Sequence, residues 1–333
     1  MTSEVEAPPA PKPAPSVPDA LVEAEDLTVE FGSQTALDNI SFAIPPGLIV
    51  GLIGPSGCGK TTLIRALTGI LSPTSGSVRV FGSDPQDFDT RQRMRFGYMP
   101  QMPILFPNLS VRANLNFVAS LYGMPTFGRR KRLHQLLELV NLDEHRSKKL
   151  ADCSGGMQRR LALAATLVHD PELLFLDEPT AGVDPILRER FWTHFRSLRD
   201  KGVSIFVPTQ YVGEAGSCDA VAVMAHGRLI ALQPTEKLAR IAYDGDPLSV
   251  ELDGWVSREE LARLQALPHV RSVRHSDIGL TVVVEDEAAS ESVRQQLVSS
   301  GASVGEITPL EPSFDEIFFE IIERYDQRAE SQS

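Results

Sequence analysis

Residues Gly51 to Gly69, GLIGPSGCGKTTLIRALTG, constrain the fold more than any other stretch. The apolar run Leu48 to Ile53 predicts a buried strand. Gly54-Pro55-Ser56-Gly57-Cys58-Gly59-Lys60-Thr61 then satisfies GxxxxGK[ST], and Thr62 to Gly69 places Leu63, Ile64 and Leu67 at helical spacing. Strand, glycine loop and helix therefore follow in the order this pattern requires. The glycines let successive backbone N–H groups face one concavity, an anion nest at a helix N-terminus. Lys60 can then reach the β- and γ-phosphates, and the Thr61 hydroxyl is placed for Mg²⁺. The motif predicts a nucleoside-triphosphate binder without saying what the nucleotide is for.

Length and charge narrow the partners. A chain of 333 residues leans towards two domains. Its formal net charge of −12 argues against general nucleic-acid binding, which needs a basic face. No apolar run approaches the ~20 residues that span a bilayer, and the N-terminus lacks the apolar core of a secretory signal. Cys58, Cys153 and Cys218 are odd in number, widely spaced and without a zinc pattern, which fits a reducing cytosol.

Residues 1–20 hold Pro8, Pro9, Pro11, Pro13, Pro15 and Pro18 and read as a disordered tail. Strand patterns begin at Leu21, with Val22, Leu27, Val29 and Phe31 before a Gly32-Ser33 turn. Phe31 is read either as a core aromatic or as a face for an adenine ring. Phe96 to Gln101 ends a strand, and residues 102–167 read as mainly helical. The basic run Arg129 to Arg132 reads as a solvated helix face. Leu173 to Leu176 is a continuous apolar strand of the kind buried in parallel sheets. It ends in Asp177-Glu178, where Asp177 would hold Mg²⁺ and Glu178 would act as general base on a water. Two acids after a strand can merely cap a turn; Lys60-Thr61 upstream makes the chemical reading specific. Strands alternating with helices imply an α/β core. From Leu248 a strand–helix–strand order occurs twice, suggesting a small ferredoxin-like α+β sandwich, closed by a helix from Ser313 to Arg324.

Ser154-Gly155-Gly156-Met157-Gln158-Arg159-Arg160-Leu161 lies shortly before the acidic strand. With the glycine loop and the acid pair it resembles the signature of ATP-binding-cassette (ABC) ATPases, over roughly residues 21–240. The resemblance implies a P-loop NTPase fold with a RecA-like parallel-sheet core, an antiparallel β-subdomain and a helical subdomain at about 102–167. The domains would be 21–243 and 247–325, with a second tail at 326–333. ATP and Mg²⁺ would be the ligands. Phe31 would stack on adenine, and Gly54, Pro55, Ser56, Gly57, Cys58, Gly59, Lys60, Thr61 and Thr62 would hold the phosphates. Thr61, Gln101 and Asp177 would serve the metal, and Glu178, Gln210 and Gln101 the chemistry. A Ser-Gly-Gly helix tip is a second phosphate-binding end. Two chains packed head to tail use both ends, so Ser154, Gly155, Gly156 and Met157 would act on the partner's ATP. Asp184, in Ala181-Gly182-Val183-Asp184, would communicate across the dimer.

Three residues depart from the family pattern. Cys153 stands for the usual leucine, Met157 for glutamine, and Gln210 for histidine. A neutral hydrogen bond is roughly half as strong as a charge-assisted one, so Gln210 implies an active but slow ATPase. Gly182-Val183-Asp184-Pro185, the SGGM form, Thr209-Gln210 and the ending Glu311-Pro312-Ser313-Phe314 are similar to exporters of the daunorubicin-resistance type. That branch implies a cytoplasmic homodimer or heterodimer, held on the inner face of the membrane by a separate integral-membrane permease. An importer ATPase with an effector-binding C-terminal domain is the first alternative. A soluble cassette protein without a transport role is the second.

Overall fold

The computed structural model describes residues 20–331 except 103, 254–255, 277–278, 287–288 and 301. The expected tail at 1–20 lies, but for its last residue, outside the described residues. Apolar alternation builds the first sheet. In β1 (Val22–Phe31) the side chains of Val22, Ala24, Leu27 and Val29 are buried, and β1 pairs antiparallel with β2 (Gln34–Ile44). β3 (Ile49–Ile53) then leads through the glycine loop into α1 (Lys60–Leu67). β4 (Ser75–Val80) returns to the other edge of β1, completing a three-stranded antiparallel sheet β2-β1-β4.

The chain continues through α2 (Thr90–Arg93), β5 (Phe96–Met99), α3 (Val111–Leu121), α4 (Thr126–Leu139) and α5 (Gly155–Thr166). β6 (Leu173–Leu176), α6 (Pro185–Arg199), β7 (Ser204–Thr209), β8 (Ala220–Ala225) and β9 (Arg228–Pro234) follow. A six-stranded sheet takes the order β5-β6-β7-β3-β8-β9, with β5–β6, β6–β7, β7–β3 and β3–β8 parallel. β3, β6 and β7 are buried at every position, as strands covered on both faces must be. Phe175 lies 6.3 Å from Phe96 and 5.3 Å from Phe206, centroid to centroid, tying β5, β6 and β7 together. The glycine loop follows β3, Gln101 follows β5, the acid pair follows β6 and Gln210 follows β7. All four leave carboxyl ends of parallel strands, where open α/β sheets bind ligands. This is the expected α/β class, with its antiparallel β-subdomain and helical part.

Two features of the helical part differ from expectation. Residue 102 and residues 104–110 form no helix; the buried Asn114 side chain ties down the stretch from Phe106 to Ser110 instead. It accepts from the Phe106 N–H at 2.8 Å and donates to the Phe106, Leu109 and Ser110 carbonyls. The basic run is also not simply solvated. Arg129 donates to Ser120 Oγ at 2.8 Å and to the Met124 carbonyl, while Arg132 bonds the Leu167 carbonyl at 2.6 Å and pairs with Asp170. Positions three apart share a helix face, so these two arginines turn inward together and leave Arg130 and Lys131 exposed.

The chain divides into two compact units, with the boundary between Leu232 and Gln233. α7 (Leu238–Tyr243) therefore belongs to the second unit, not to a first domain ending at residue 243. Arg324 explains this, donating to the Ala242 carbonyl at 3.1 Å. The second unit continues with β10 (Asp246–Asp253), α8 (Arg258–Gln265), β11 (Val270–Ser276), β12 (Gly279–Val284), α9 (Ser290–Ser299) and β13 (Ser303–Pro309). Its sheet order is β11-β12-β10-β13 with every pair antiparallel, the topology of a ferredoxin-like sandwich. Ser257 caps α8 in a reciprocal box with Glu260. α10 (Phe314–Ser331) runs past the expected end at Arg324 and through most of the expected tail. Residues 325–331 contain neither glycine nor proline to stop a helix.

Candidate functional site

The glycine loop is set by close backbone approach. Gly59 has φ 107°, and a Cβ there would lie 2.6 Å from the Ala36 carbonyl oxygen; one on Gly54 would lie 2.3 Å from that of Met224. Only glycine fits either place. Lys60 curls back over the loop, its ammonium donating to the Gly54 and Pro55 carbonyls at 2.7 and 2.9 Å. Those bonds hold a positive charge in the mouth of the nest, ready to be exchanged for phosphate oxygens.

Cys58 Sγ sits 3.8 Å from Lys60 Nζ, and the residue is buried. Its alkylation is expected to abolish ATP binding, to proceed slowly because the thiol is covered, and to be blocked by ATP. Equilibrium dialysis of the fully alkylated protein checks this; unchanged ATP affinity would show that the loop tolerates the adduct.

Thr61 Oγ1 donates to Asp177 Oδ2 at 3.2 Å. Burial pushes the Asp177 carboxyl above its usual range, the Thr61 bond opposes this, Glu178 adds to the rise, and Arg159 and Lys60 oppose it. A buried carboxylate beside a hydroxyl is a hard oxygen pair that suits Mg²⁺, which keeps waters and substrate phosphates as its other ligands. Among the described residues no cluster of three His, Cys, Asp or Glu gathers to hold a metal by itself.

Glu178 adopts φ 50°, in the left-handed region that costs a non-glycine residue about 1 kcal/mol or more. Its N–H donates to the Pro208 carbonyl at 2.9 Å, which fixes the turn to the end of β7. The carboxylate lies 3.6 Å from Arg159 of α5, whose guanidinium also donates to the Asp177 carbonyl at 3.3 Å. A cavity of about 540 Å³ brings together Phe31, Lys60, Thr61, Thr62, Gln101, Asp177, Glu178 and Gln210, together with Ser56, Gly57 and Gly59 of the loop. Phe31 is 52% exposed there, available as a ring face and not part of the core.

The signature residues stand elsewhere. Ser154 caps α5, accepting from the Met157 N–H at 3.3 Å, and Gly155 and Gly156 line a separate cavity with Ala181 and Gly182. None of Ser154 to Met157 lines the cavity around Lys60. Asp184 caps α6, accepting from the Leu187 N–H at 3.0 Å.

Sequence reasoning misses Arg159 and a buried hub. Glu214 accepts from Thr180 Oγ1 at 2.6 Å and from Thr209 Oγ1 at 2.9 Å, with Arg188 at 3.8 Å. Thr209 Oγ1 in turn accepts from the Tyr211 N–H at 3.0 Å. One carboxylate thus links the segment after the acid pair to the segment that carries Gln210. The available signal is a single acid among small and apolar residues, Val212 to Ala215. It does not say that Thr209, five residues away, and Thr180, 34 residues away, share it.

Gln210 is exposed at the rim of the larger cavity. Gln210→Ala is expected to slow turnover about five- to tenfold, the worth of one neutral hydrogen bond. Steady-state phosphate release measures it; an unchanged rate would remove Gln210 from the chemistry.

A parallel sheet carrying this loop defines a P-loop ATPase fold. Residues 37–181 match the ABC transporter family, and residues 240–322 match the family described as ATP-binding protein DrrA1-3-like, C-terminal domain. The daunorubicin/doxorubicin resistance ATP-binding protein DrrA of Streptomyces peucetius is 34% identical over 304 residues, covering 90% of this chain and 92% of that protein. The chain therefore belongs to the ABC transporter ATPase family, with a DrrA-like C-terminal domain. A probable multidrug ABC transporter ATP-binding protein of Escherichia coli (strain K12), YbhF, is 39% identical over 230 residues; these are 69% of this chain and 40% of that protein's length. A dimeric ATP-binding cassette bound to ADP and Pi superposes with TM-score 0.60 at 25% identity, over 64% of this chain and 98% of that one.

Proposed function

We propose that this protein hydrolyses ATP as one of two cassettes that drive export through a separate membrane permease. The observation that carries the reading is the division of the site. Phosphate loop, acid pair, Gln101 and Gln210 share one cavity, while the Ser154 helix tip lines another in the same chain. A second cassette, identical or not, would bring its own tip to the first cavity; the similar cassette bound to ADP and Pi is dimeric.

In this reading Phe31 stacks on the adenine, and residues 54–62 hold the phosphates. Thr61 and Asp177, with Gln101, would hold Mg²⁺, which would supply neutralisation of phosphate charge. Glu178 takes the proton of the attacking water as the bond from the γ-phosphorus to the ADP oxygen breaks. Lys60 and Gln210 stabilise the charge that develops on the γ-phosphate, so positioning and electrostatics do most of the work. Asp184 senses the partner across the interface.

Export is favoured by the resistance and multidrug names of the relatives. Docking to a permease is supported by exposed apolar side chains: Ile70, Ile104 and Leu121 line one cavity with Pro100, the residue before Gln101, and Met102 follows Gln101 in the chain. Among the described residues no helix is long and apolar enough to cross a membrane. The protein would sit at the cytoplasmic face through that permease, without nucleic acid as a partner.

Mixing tests the shared site. Lys60→Ala and Ser154→Arg variants are each expected to be inactive alone. Mixed, they form dimers in which one composite site is intact, and part of the turnover returns. Full activity of Ser154→Arg alone would reduce the protein to a single-chain phosphate binder. Purification from solubilised membranes, with identification of the co-purifying permease, tests the export half.

A further inference from the structure

We infer that the helical part of the first unit holds a second binding site, for a phosphate-bearing amphiphile. The inference stands on geometry alone and does not rest on the export reading. A cavity of about 710 Å³ opens between the first turns of α4, the start of α3 and the turn that follows α4. That volume falls within the range of small-molecule sites, about 300–1,000 Å³, and none of its lining residues belongs to the nucleotide cavity.

Its charge is opposite to that of the chain. The protein has a formal net charge of −12, yet Arg112, Arg130, Lys131 and Arg146 line this cavity and no carboxylate does. The fold uses Arg129 and Arg132 to tie α4 down, and it leaves Arg130 and Lys131, with Arg112, exposed. On the rim, His134 meets Glu138 at 3.4 Å, and Arg146 donates to the Asp143 carbonyl at 3.3 Å. Arg112, Arg130 and Lys131 thus line one cavity without carboxylate partners among the described residues, an arrangement whose self-repulsion an anion relieves. Arginines match phosphate oxygens in paired hydrogen bonds.

The remaining walls are apolar. Leu133 and Leu137 line the cavity as buried side chains. Phe127 stands at the mouth, 95% exposed. It is held there by a break in α4, where Phe127 has ψ 128° and Gly128 has φ 80°. A cationic ring over an apolar floor, with an aromatic side chain projecting beside it, fits a phosphate joined to an apolar body. An acidic phospholipid headgroup and a free organic phosphate ester share that chemistry.

The test uses the full chain without nucleotide and the triple variant Arg112→Gln, Arg130→Gln, Lys131→Gln. Flotation with vesicles of phosphatidylglycerol in phosphatidylcholine, against phosphatidylcholine alone, reads the lipid source. Calorimetric titration with glycerol phosphate reads the free source. Wild type is expected to bind the anionic vesicles, and the triple variant to bind about a hundredfold more weakly, at about a factor of five per cation. Phe127→Ser is expected to weaken vesicle binding while leaving glycerol phosphate binding unchanged. Saturable glycerol phosphate binding, lost in the triple variant and without a vesicle preference, would assign the site to a free ester. A wild type that binds neither probe overturns the inference. So does an equal loss when Arg79, Arg91 and Lys201, exposed and distant in sequence, are changed to glutamine instead. ATP binding by the triple variant is read in parallel; it reports intact folding, and it fails separately if the nucleotide reading is at fault.

Discussion

Glu178→Gln is expected to lower ATP turnover by about 10²–10⁴-fold, the usual loss when a general base is removed. Glutamine keeps the size of the side chain but cannot take the water's proton. The left-handed backbone at Glu178 and its bond to the Pro208 carbonyl do not depend on the carboxylate, so the turn should persist. Loss of the charge facing Arg159, 3.6 Å away and largely covered, costs some stability, and calorimetry will show it as a small fall in melting temperature. ATP affinity should be retained because the phosphate loop is untouched. With hydrolysis stopped, magnesium ATP should accumulate the closed dimer, visible by size-exclusion chromatography with light scattering. Turnover within a few-fold of wild type would mean that another group activates the water. A variant that stays monomeric under saturating nucleotide would remove the composite site.

Glu214→Ala should produce the second large effect, on stability as well as rate. The substitution leaves two buried threonine hydroxyls and the Arg188 guanidinium without their shared acceptor. Unpaired buried polar groups cost about 1–3 kcal/mol each, and relaxation of the hydroxyls should hold the total to about 2–4 kcal/mol. In a unit of this size that lowers the melting temperature by about 5–10 °C. Glu214→Gln retains one good acceptor and should lose roughly half as much. A purely structural role predicts that turnover per folded molecule is unchanged. A positioning role predicts a lower kcat at unchanged KM, because Thr209 and Thr180 anchor the segments that carry Gln210 and follow Glu178. Measuring both constants on the folded fraction decides between them.

Local rules make the ATPase family readable from the phosphate loop and the signature at Ser154. GxxxxGKT works through backbone N–H groups and one lysine within a few residues of each other, so its meaning survives without knowing the fold. The same holds for the capping box at Ser257 and Glu260, and for the apolar runs that became β3 and β6. Long-range pairing was not readable. Arg129 and Arg132 read as part of a solvated face because nothing local reveals that α4 breaks at Gly128, with Arg129 turned to Ser120 and Met124 and Arg132 to Leu167 and Asp170. The stretch 104–110 reads as helical because its anchor, Asn114, is identifiable only once it is buried.

By itself the sequence determined the α/β class, the phosphate-loop motif, the apolar strands that became β3 and β6, and the family, since each is written in neighbouring residues. Only the tertiary structure decided that Glu214 joins Thr180 to Thr209, that Arg159 faces Glu178, and that four cations surround one cavity. The physical reason is the same in each case. Each depends on elements that meet only after the sheet and the helical part have packed, so no run of neighbouring residues announces it.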